Sequence, residues 1–283
     1  MPEGHTLFRL ARSLDDHFGG RVVAVGSPQG RFAESAALLD GTRLVGAVSY
    51  GKHLFVDFER DRQVHVHLGL YGKFAVRKGE ALPAVGQVRL RLVADGRDGR
   101  PPAYGDLRGA TACELMTAEQ QRALVERLGP DPLRADADWT RAWDRVSRSR
   151  APIGGLLMDQ SVLAGVGNVY RAEVLFRHRV DPLRPGSSLR RGTFEHMWHD
   201  LVVLMADGVR RGRIDTVGPR PDGALVGRLP EADTGGSPVY VYRRDGEPCF
   251  VCGTRVRTEV LAGRNLFWCP RCQPRFRSRA RAA

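Results

Sequence analysis

Two groups of residues, at opposite ends of the chain, have types and spacings that could do chemistry. The first is Met1-Pro2-Glu3. Methionine aminopeptidases cleave before small residues, so loss of Met1 would leave Pro2 with a free secondary amine beside a carboxylate. An α-amino group titrates near pH 8, about two units below a lysine. A useful fraction is therefore an unprotonated nucleophile at neutral pH. A secondary amine that attacks an aldehyde-like carbon gives a cationic iminium, a strong electron sink, and Glu3 stands next to it to move protons. Taken alone, the same three residues also read as an ordinary start followed by a common pair.

The second group is Cys249-x-x-Cys252 and Cys269-x-x-Cys272, separated by 16 residues. This is the spacing of a tetrahedral structural Zn²⁺ site, with each pair in a tight turn that points two thiolates at one ion. Thr254 through Trp268 then fold back as a hairpin, with Gly263-Arg264-Asn265 as its turn. So short a module has little core, and the metal supplies much of its folding free energy. An arginine at the tip of a rigid hairpin can reach a nucleic-acid groove or phosphate. The fifth cysteine, Cys113, reads as a buried small hydrophobe.

Two turns add candidates. The chain has only three lysines against 41 arginines, and one of the three lies in Gly51-Lys52-His53. In Leu163-Ala164-Gly165-Val166-Gly167-Asn168 two glycines permit a tight reversal, and Asn168 reads as the cap of the helix that follows. The N–H groups there would attract a phosphate; a plain capped helix connection fits equally well.

The elements that must position these residues follow from periodicity. Leu7, Leu10, Ala11, Leu14 and Phe18 form one helical stripe over residues 4–19, ended by Gly19-Gly20. The next hundred residues read as alternating strands (21–25, 43–50, 53–59, 63–68, 73–76, 88–94), which predicts an antiparallel sandwich or barrel. Gly129-Pro130-Asp131-Pro132 reads as a boundary, after which apolar helical stretches involve Trp139, Trp143 and Val146, then 155–158, 169–176 and 193–209. Residues 212–238 read as a mobile connection, and Pro274–Ala283 as a basic disordered tail.

At 283 residues the chain can bury a real core, and its net charge of +12 points to a polyanionic partner. No apolar run reaches the roughly 18 residues of a membrane span, and no strongly amphipathic basic helix is evident, so nucleic acid is favoured over membrane. The N-terminus lacks a secretory pattern, which predicts a soluble intracellular protein.

Together, Pro2-Glu3-Gly4, the Gly51-Lys52 turn, His67-Leu68-Gly69-Leu70-Tyr71-Gly72, Gly165-Val166-Gly167-Asn168 and the four-cysteine hairpin with Gly263-Arg264 resemble the formamidopyrimidine-DNA glycosylase/endonuclease VIII family. The likeness spans residues 1–273 and is nearest to actinobacterial endonuclease VIII. It implies a multidomain α+β chain: an N-terminal antiparallel β-sandwich with an N-terminal helix (1–128, catalytic), a helical helix-two-turn-helix DNA-binding domain (129–235), a C-terminal zinc β-hairpin (236–273) and the basic tail (274–283). It also implies a bifunctional glycosylase and AP lyase of base excision repair, holding one structural Zn²⁺ through Cys249, Cys252, Cys269 and Cys272. Its substrate would be damaged double-stranded DNA, met as a monomer in the cytoplasm at the nucleoid, with no membrane partner.

By the same resemblance the catalytic set is Pro2, Glu3 and Lys52. Pro2 attacks the sugar C1′, Glu3 moves protons, and the iminium drives β- and then δ-elimination. Lys52, Asn168 and Arg264 hold phosphates around the extruded nucleotide, while Leu70 and Tyr71 fill the gap in the stack. Two departures matter. His5-Thr6 stands where relatives usually carry Pro-Glu, so a second carboxylate common near the site is missing and the proton-relay roles do not carry over in detail. Asp106-Leu107-Arg108-Gly109 lacks the Arg-Phe pair usual in the 8-oxoguanine branch, and oxidised pyrimidines such as thymine glycol and 5-hydroxyuracil are therefore expected. An 8-oxoguanine/formamidopyrimidine enzyme and a non-catalytic zinc DNA-binding protein are the alternatives.

Other suggestive residues have plainer readings. His65 and His67 share a strand face without a carboxylate at matching spacing, and so read as a satisfied structural pair. His196 and His199 read as surface on a helix. The arginines from Arg141 to Arg150 fit a solvated helix face as well as a DNA-facing one.

Overall fold

The computed structural model describes residues 2–223 and 238–277. The chain divides into two compact units, Met1–Arg127 and Leu128–Ala283.

The first unit opens with α1 (Gly4–Phe18), whose buried stripe is the one expected: Leu7, Leu10, Ala11, Leu14 and Phe18. Then come β1 (Val22–Gly26), α2 (Ala33–Leu39), β2 (Thr42–Tyr50), β3 (His53–Phe58), β4 (Arg62–His67), β5 (Lys73–Lys78), β6 (Val88–Ala94), β7 (Ala103–Arg108), β8 (Ala112–Met116) and α3 (Ala118–Glu126). The strands form one antiparallel sheet in the order β5-β7-β6-β1-β2-β3-β4-β8. Its central joint is narrow: β1 and β2 pair only at Val22↔Arg43 and Val23↔Thr42. Two four-stranded halves flank that joint. Val23, Val25, Leu90, Leu92 and Leu107 from one half meet Leu44, Leu54, Val56, Val64 and Val66 from the other, with the α1 stripe, in one core. The alternation of the strands thus produces the sandwich it predicts. The periodicity marks neither α2 nor α3; α3 begins at a reciprocal cap between Thr117 and Gln120.

The second unit carries α4 (Thr140–Arg148), α5 (Ile153–Leu156), α6 (Asn168–Arg177), α7 (Arg191–Arg211) and a two-stranded hairpin, β9 (Arg257–Leu261) and β10 (Arg264–Trp268). All ten residues of α6 are buried. Val169, Tyr170, Val174 and Leu175 pack with Phe194, Met197, Trp198, Leu201 and Leu204 of α7. Trp143 lies 5.7 Å from Phe194, centroid to centroid, and belongs to this core as expected. On its other side α6 meets a smaller core, in which Ala172 and Phe176 pack with Tyr240, Val241, Val256 and Phe267. His196 and His199 are exposed, as expected.

The polar residues of α6 bind the neighbouring chain. Glu173 accepts Thr216 Oγ1 at 2.6 Å and the backbone N–H groups of Tyr240, Val241 and Tyr242 at 2.6, 2.9 and 2.9 Å. Arg177 makes a bidentate pair with buried Asp200 at 2.7 and 2.8 Å and donates to the carbonyls of Thr216, Gly218 and Pro219. The start of the expected mobile connection, through Pro219, is therefore held; residues 224–237 lie outside the described residues. The tail also differs from expectation at its base. Phe276 donates its N–H to Asp181 at 2.7 Å and lies under the Arg184 guanidinium at 4.4 Å, so a half-buried ring anchors it.

Candidate active site and DNA-binding elements

In the first unit, Pro2 is half-buried and Glu3 fully buried at the head of α1. Glu3 is extended (φ −125°, ψ 180°), and its carbonyl accepts the Thr6 N–H at 2.9 Å, opening the helix. The apolar stripe seats α1 on the sheet, so the two N-terminal residues inherit a fixed place. The helix dipole favours an anion there. His5, of the His5-Thr6 pair, is buried and lies 3.2 Å from Thr6 Oγ1. Burial, followed by the charge of Arg9, pushes its imidazole down to about 4, so it is a neutral polar group.

Lys52 sits in the two-residue turn between β2 and β3, where Tyr50 pairs with His53 and Gly51 has φ +58°. Glycine first in a primed turn is the arrangement that follows strand twist. His53 begins a hydrogen-bonded line that the sequence does not show. Its Nδ1 lies 2.9 Å from His65 Nε2, and His65 Nδ1 lies 2.8 Å from Glu114 Oε1. The expected lack of a carboxylate is corrected by strand pairing, since β8 sets Glu114 directly opposite His65. Burial, then the neighbouring His65, His67, Lys52 and Arg127, push His53 down to about 3. His67 is lowered too, by burial and then by His65 and Lys52. Cys113, on β8, is half-buried against the core, and burial pushes its thiol up to about 12.

Leu70 and Tyr71 stand on a tight turn closed by Gly72 N–H to Leu68 O at 3.0 Å. Both flanking glycines are required. A Cβ at Gly69 (φ +67°) would fall 2.0 Å from Thr111 Oγ1, and one at Gly72 would fall 2.2 Å from Leu68 O. The turn leaves Tyr71 89% exposed and Leu70 38% exposed. Arg108, the residue nearest to the opposite-strand probe of the 8-oxoguanine branch, is engaged within its own sheet. It donates to Asp106 at 2.9 Å and to Val85 O at 3.0 Å.

In the second unit, the turn before α6 is braced by Gln160, which accepts the Gly165 N–H at 2.9 Å and donates to Val166 O at 3.1 Å. Asn168 is the first residue of α6 and Gly167 is its cap, so the expected capping role of Asn168 is corrected. The Asn168 amide turns instead to the hairpin, donating to Asn265 O at 2.9 Å and accepting from fully buried Arg171. The hairpin turn also shifts. Ala262 and Gly263 (φ +50° and +72°) form it, and Arg264 opens β10 opposite Leu261, half-buried rather than at the tip. Asn168 and Arg264 are therefore brought together through one backbone segment.

The four cysteines also converge, their sulfurs all lying within 4.8 Å of one another. Sγ separations of 3.4 Å for Cys252–Cys269 and 3.9 Å for Cys249–Cys272 bracket the roughly 3.8 Å that tetrahedral Zn–S bonds of about 2.3 Å require. Burial pushes Cys269 up to about 11, and burial with the adjoining sulfurs also raises Cys272. Against its burial, hydrogen bonds from Thr254 and the neighbouring sulfurs lower Cys252 to about 6, and with the four sulfurs converged at tetrahedral spacing these residues fit one structural Zn²⁺.

Among the described residues no helix is long and apolar enough to cross a membrane.

Residues 1–113 match the formamidopyrimidine-DNA glycosylase N-terminal domain. Residues 128–217 match the formamidopyrimidine-DNA glycosylase H2TH domain, and 246–275 the zinc finger found in FPG and IleRS. Endonuclease 8 1 of Mycobacterium tuberculosis is 52% identical over 278 residues, covering 96% of this chain and all of the relative. Formamidopyrimidine-DNA glycosylase of Thermus thermophilus is 33% identical over 245 residues, 84% of this chain and 85% of that one. In fold, the chain is similar to Lactococcus lactis Fpg in a complex with DNA containing an abasic site, with TM-score 0.76, 20% identity and coverage of 96% and 100%. The chain belongs to the formamidopyrimidine-DNA glycosylase/endonuclease VIII family, and its likeness is to the actinobacterial endonuclease VIII branch.

Proposed function

We infer that this protein is a bifunctional DNA glycosylase/AP lyase of base excision repair acting on oxidised pyrimidines in damaged double-stranded DNA. The observation that carries the reading is identity of 52% to an endonuclease 8 along the whole of that relative. In this reading, Pro2, with Met1 removed, bonds to C1′ as the bond to the damaged base breaks. Glu3 delivers a proton to the departing base or to the sugar ring oxygen. The C1′–O4′ bond then opens, O4′ leaving as a hydroxyl, to give the iminium, which acidifies the C2′ hydrogen; its removal expels the 3′ phosphate, and a second elimination expels the 5′ phosphate. Lys52, Asn168 and Arg264 hold phosphates, Leu70 and Tyr71 occupy the vacated stack, and the four cysteines hold zinc. Catalysis belongs to the sandwich, which also supplies the DNA contacts of Lys52, Leu70 and Tyr71, while the helical domain and zinc hairpin supply those of Asn168 and Arg264. The working unit is a monomer, in the cytoplasm at the nucleoid.

Support for the chemistry comes from the position of the Glu3 carboxylate, buried one residue after Pro2 at the head of α1. The commitment of Arg108 to Asp106 and Val85 supports pyrimidine over purine lesions. Borohydride reduction of the protein mixed with DNA containing an abasic site tests the reading. A covalent adduct mapped to Pro2 is expected. Intact DNA binding without an adduct would mean a passive zinc DNA-binding protein. Single-lesion duplexes then decide the base: faster release of 8-oxoguanine than of thymine glycol would overturn the pyrimidine assignment.

A further inference from the structure

We propose that Arg171 is a positioning residue that fixes the Asn168 side chain as a hydrogen-bond donor toward phosphate and ties it to the strand carrying Arg264. The proposal rests on the reading of Asn168 as a phosphate contact and adds what makes it one.

Arg171 lies one helical turn after Asn168 on the same face of α6 and is fully buried. Its Nη2 donates to Asn168 Oδ1 and, at 3.0 Å, to Asn265 O; its Nη1 donates to Gly154 O at 3.3 Å. Asn168 Nδ2 donates to the same Asn265 carbonyl at 2.9 Å. A guanidinium offers only donors and a carbonyl only acceptors, whereas a carboxamide has one end of each kind. The amide of Asn168 is clamped between the two, so one orientation alone satisfies both neighbours. A flipped amide would set NH₂ against guanidinium and oxygen against oxygen. With Oδ1 held by Arg171 and one Nδ2 hydrogen on Asn265, the hydrogen that remains is a donor. A donor at the head of α6 suits an anion and repels an electropositive group.

The same carbonyl receives both Arg171 and Asn168, so two bonds set β10 against α6 at the residue after Arg264. One buried guanidinium therefore aligns two phosphate-holding elements that are 96 positions apart in the chain.

The test uses full-length protein and a duplex with a tetrahydrofuran abasic analogue, with zinc content measured in every variant. Arg171→Met and Asn168→Ala are each expected to weaken binding roughly tenfold, the effect of one hydrogen bond to a charged group. The double variant is expected to bind no more weakly than the worse single one, because the two residues act as a unit. Asn168→Asp keeps an acceptor for Arg171 but presents oxygen where the donor stood, and is expected to bind more weakly than Asn168→Ala. A merely structural role would not give that order. Additive losses, wild-type affinity in zinc-loaded Arg171→Met, or Asn168→Asp binding as well as Asn168→Ala would each overturn the proposal. Should Arg171→Met fail to fold, the Asn168 pair decides alone. Unchanged affinity in Asn168→Ala would instead remove the phosphate reading itself.

Discussion

Glu173 and Val241 are joined by a 2.9 Å bond from backbone N–H to carboxylate across 68 residues of sequence, and Glu173 takes Tyr240 and Tyr242 in the same way. A carboxylate that gathers three successive amides works as the anchor of the segment leading into the zinc module. Its removal leaves buried donors without an acceptor, at about 1–3 kcal/mol each.

Glu173→Ala is therefore expected to lower stability by about 3 kcal/mol or more and to speed zinc loss to a chelator. Glu173→Gln, which retains one acceptor oxygen, should lose roughly half as much. Calorimetry and a colorimetric zinc-release assay check both. Equal stability of the two variants would remove the anchoring role.

The turn bearing Leu70 and Tyr71 separates fold from function. Gly69→Ala forces a Cβ onto Thr111 Oγ1 in a left-handed backbone and should destabilise by about 1–3 kcal/mol. Adding Thr111→Ala should recover part of that loss in thermal melts. Tyr71→Ala, at an 89% exposed site, should leave the melting temperature unchanged while slowing lesion excision from duplex DNA. A loss of stability in Tyr71→Ala would mean that the ring serves the fold.

Glu3→Gln should suppress base excision by a hundredfold or more, the usual scale for a general acid, and cleave a preformed abasic site with a much smaller loss. Single-turnover rates on the two substrates make the comparison. Equal losses would take the glycosidic proton away from Glu3.

The fold holds His53 neutral down to about pH 3, whereas an unfolded chain protonates it below about 6.5. The stabilising contribution is complete above pH 6.5 and declines as pH falls toward 3, by about 1.4 kcal/mol per unit for one proton. His5, lowered to about 4, adds a slope of the same sign. Denaturant titrations between pH 4.5 and 6 should show a slope smaller by one proton in His53→Phe. An unaltered slope would mean that the folded imidazole protonates normally.

The legible parts of the molecule are those whose signal is local. The α1 stripe repeats every turn, and the cysteine spacing is itself the ligand geometry. The strand β7 is unmarked because Ala103–Asp106 are buried regardless of which face they point to. Asp106 is tolerated inside because Arg91, on the neighbouring strand, pairs with it at 2.7 and 2.9 Å and Arg108 adds a bond at 2.9 Å. Asn168 has the composition of a cap, but Asn265, 97 residues downstream, and Arg171, three residues on, decide how its amide is used. The Arg264 turn is displaced because Ala262 accepts a left-handed backbone that pattern reading assigns to glycine. Glu114 lies 49 residues from His65, and only strand register makes them neighbours.

Because α6 presents no residue to solvent and its charged side chains are engaged by distant segments, its amides have no independent way to open. Deuterium should enter that ten-residue stretch last, and at a rate that tracks global unfolding. Any loosening of the cysteine cluster should then register first as faster labelling at Tyr240–Tyr242, well before the helix itself gives way.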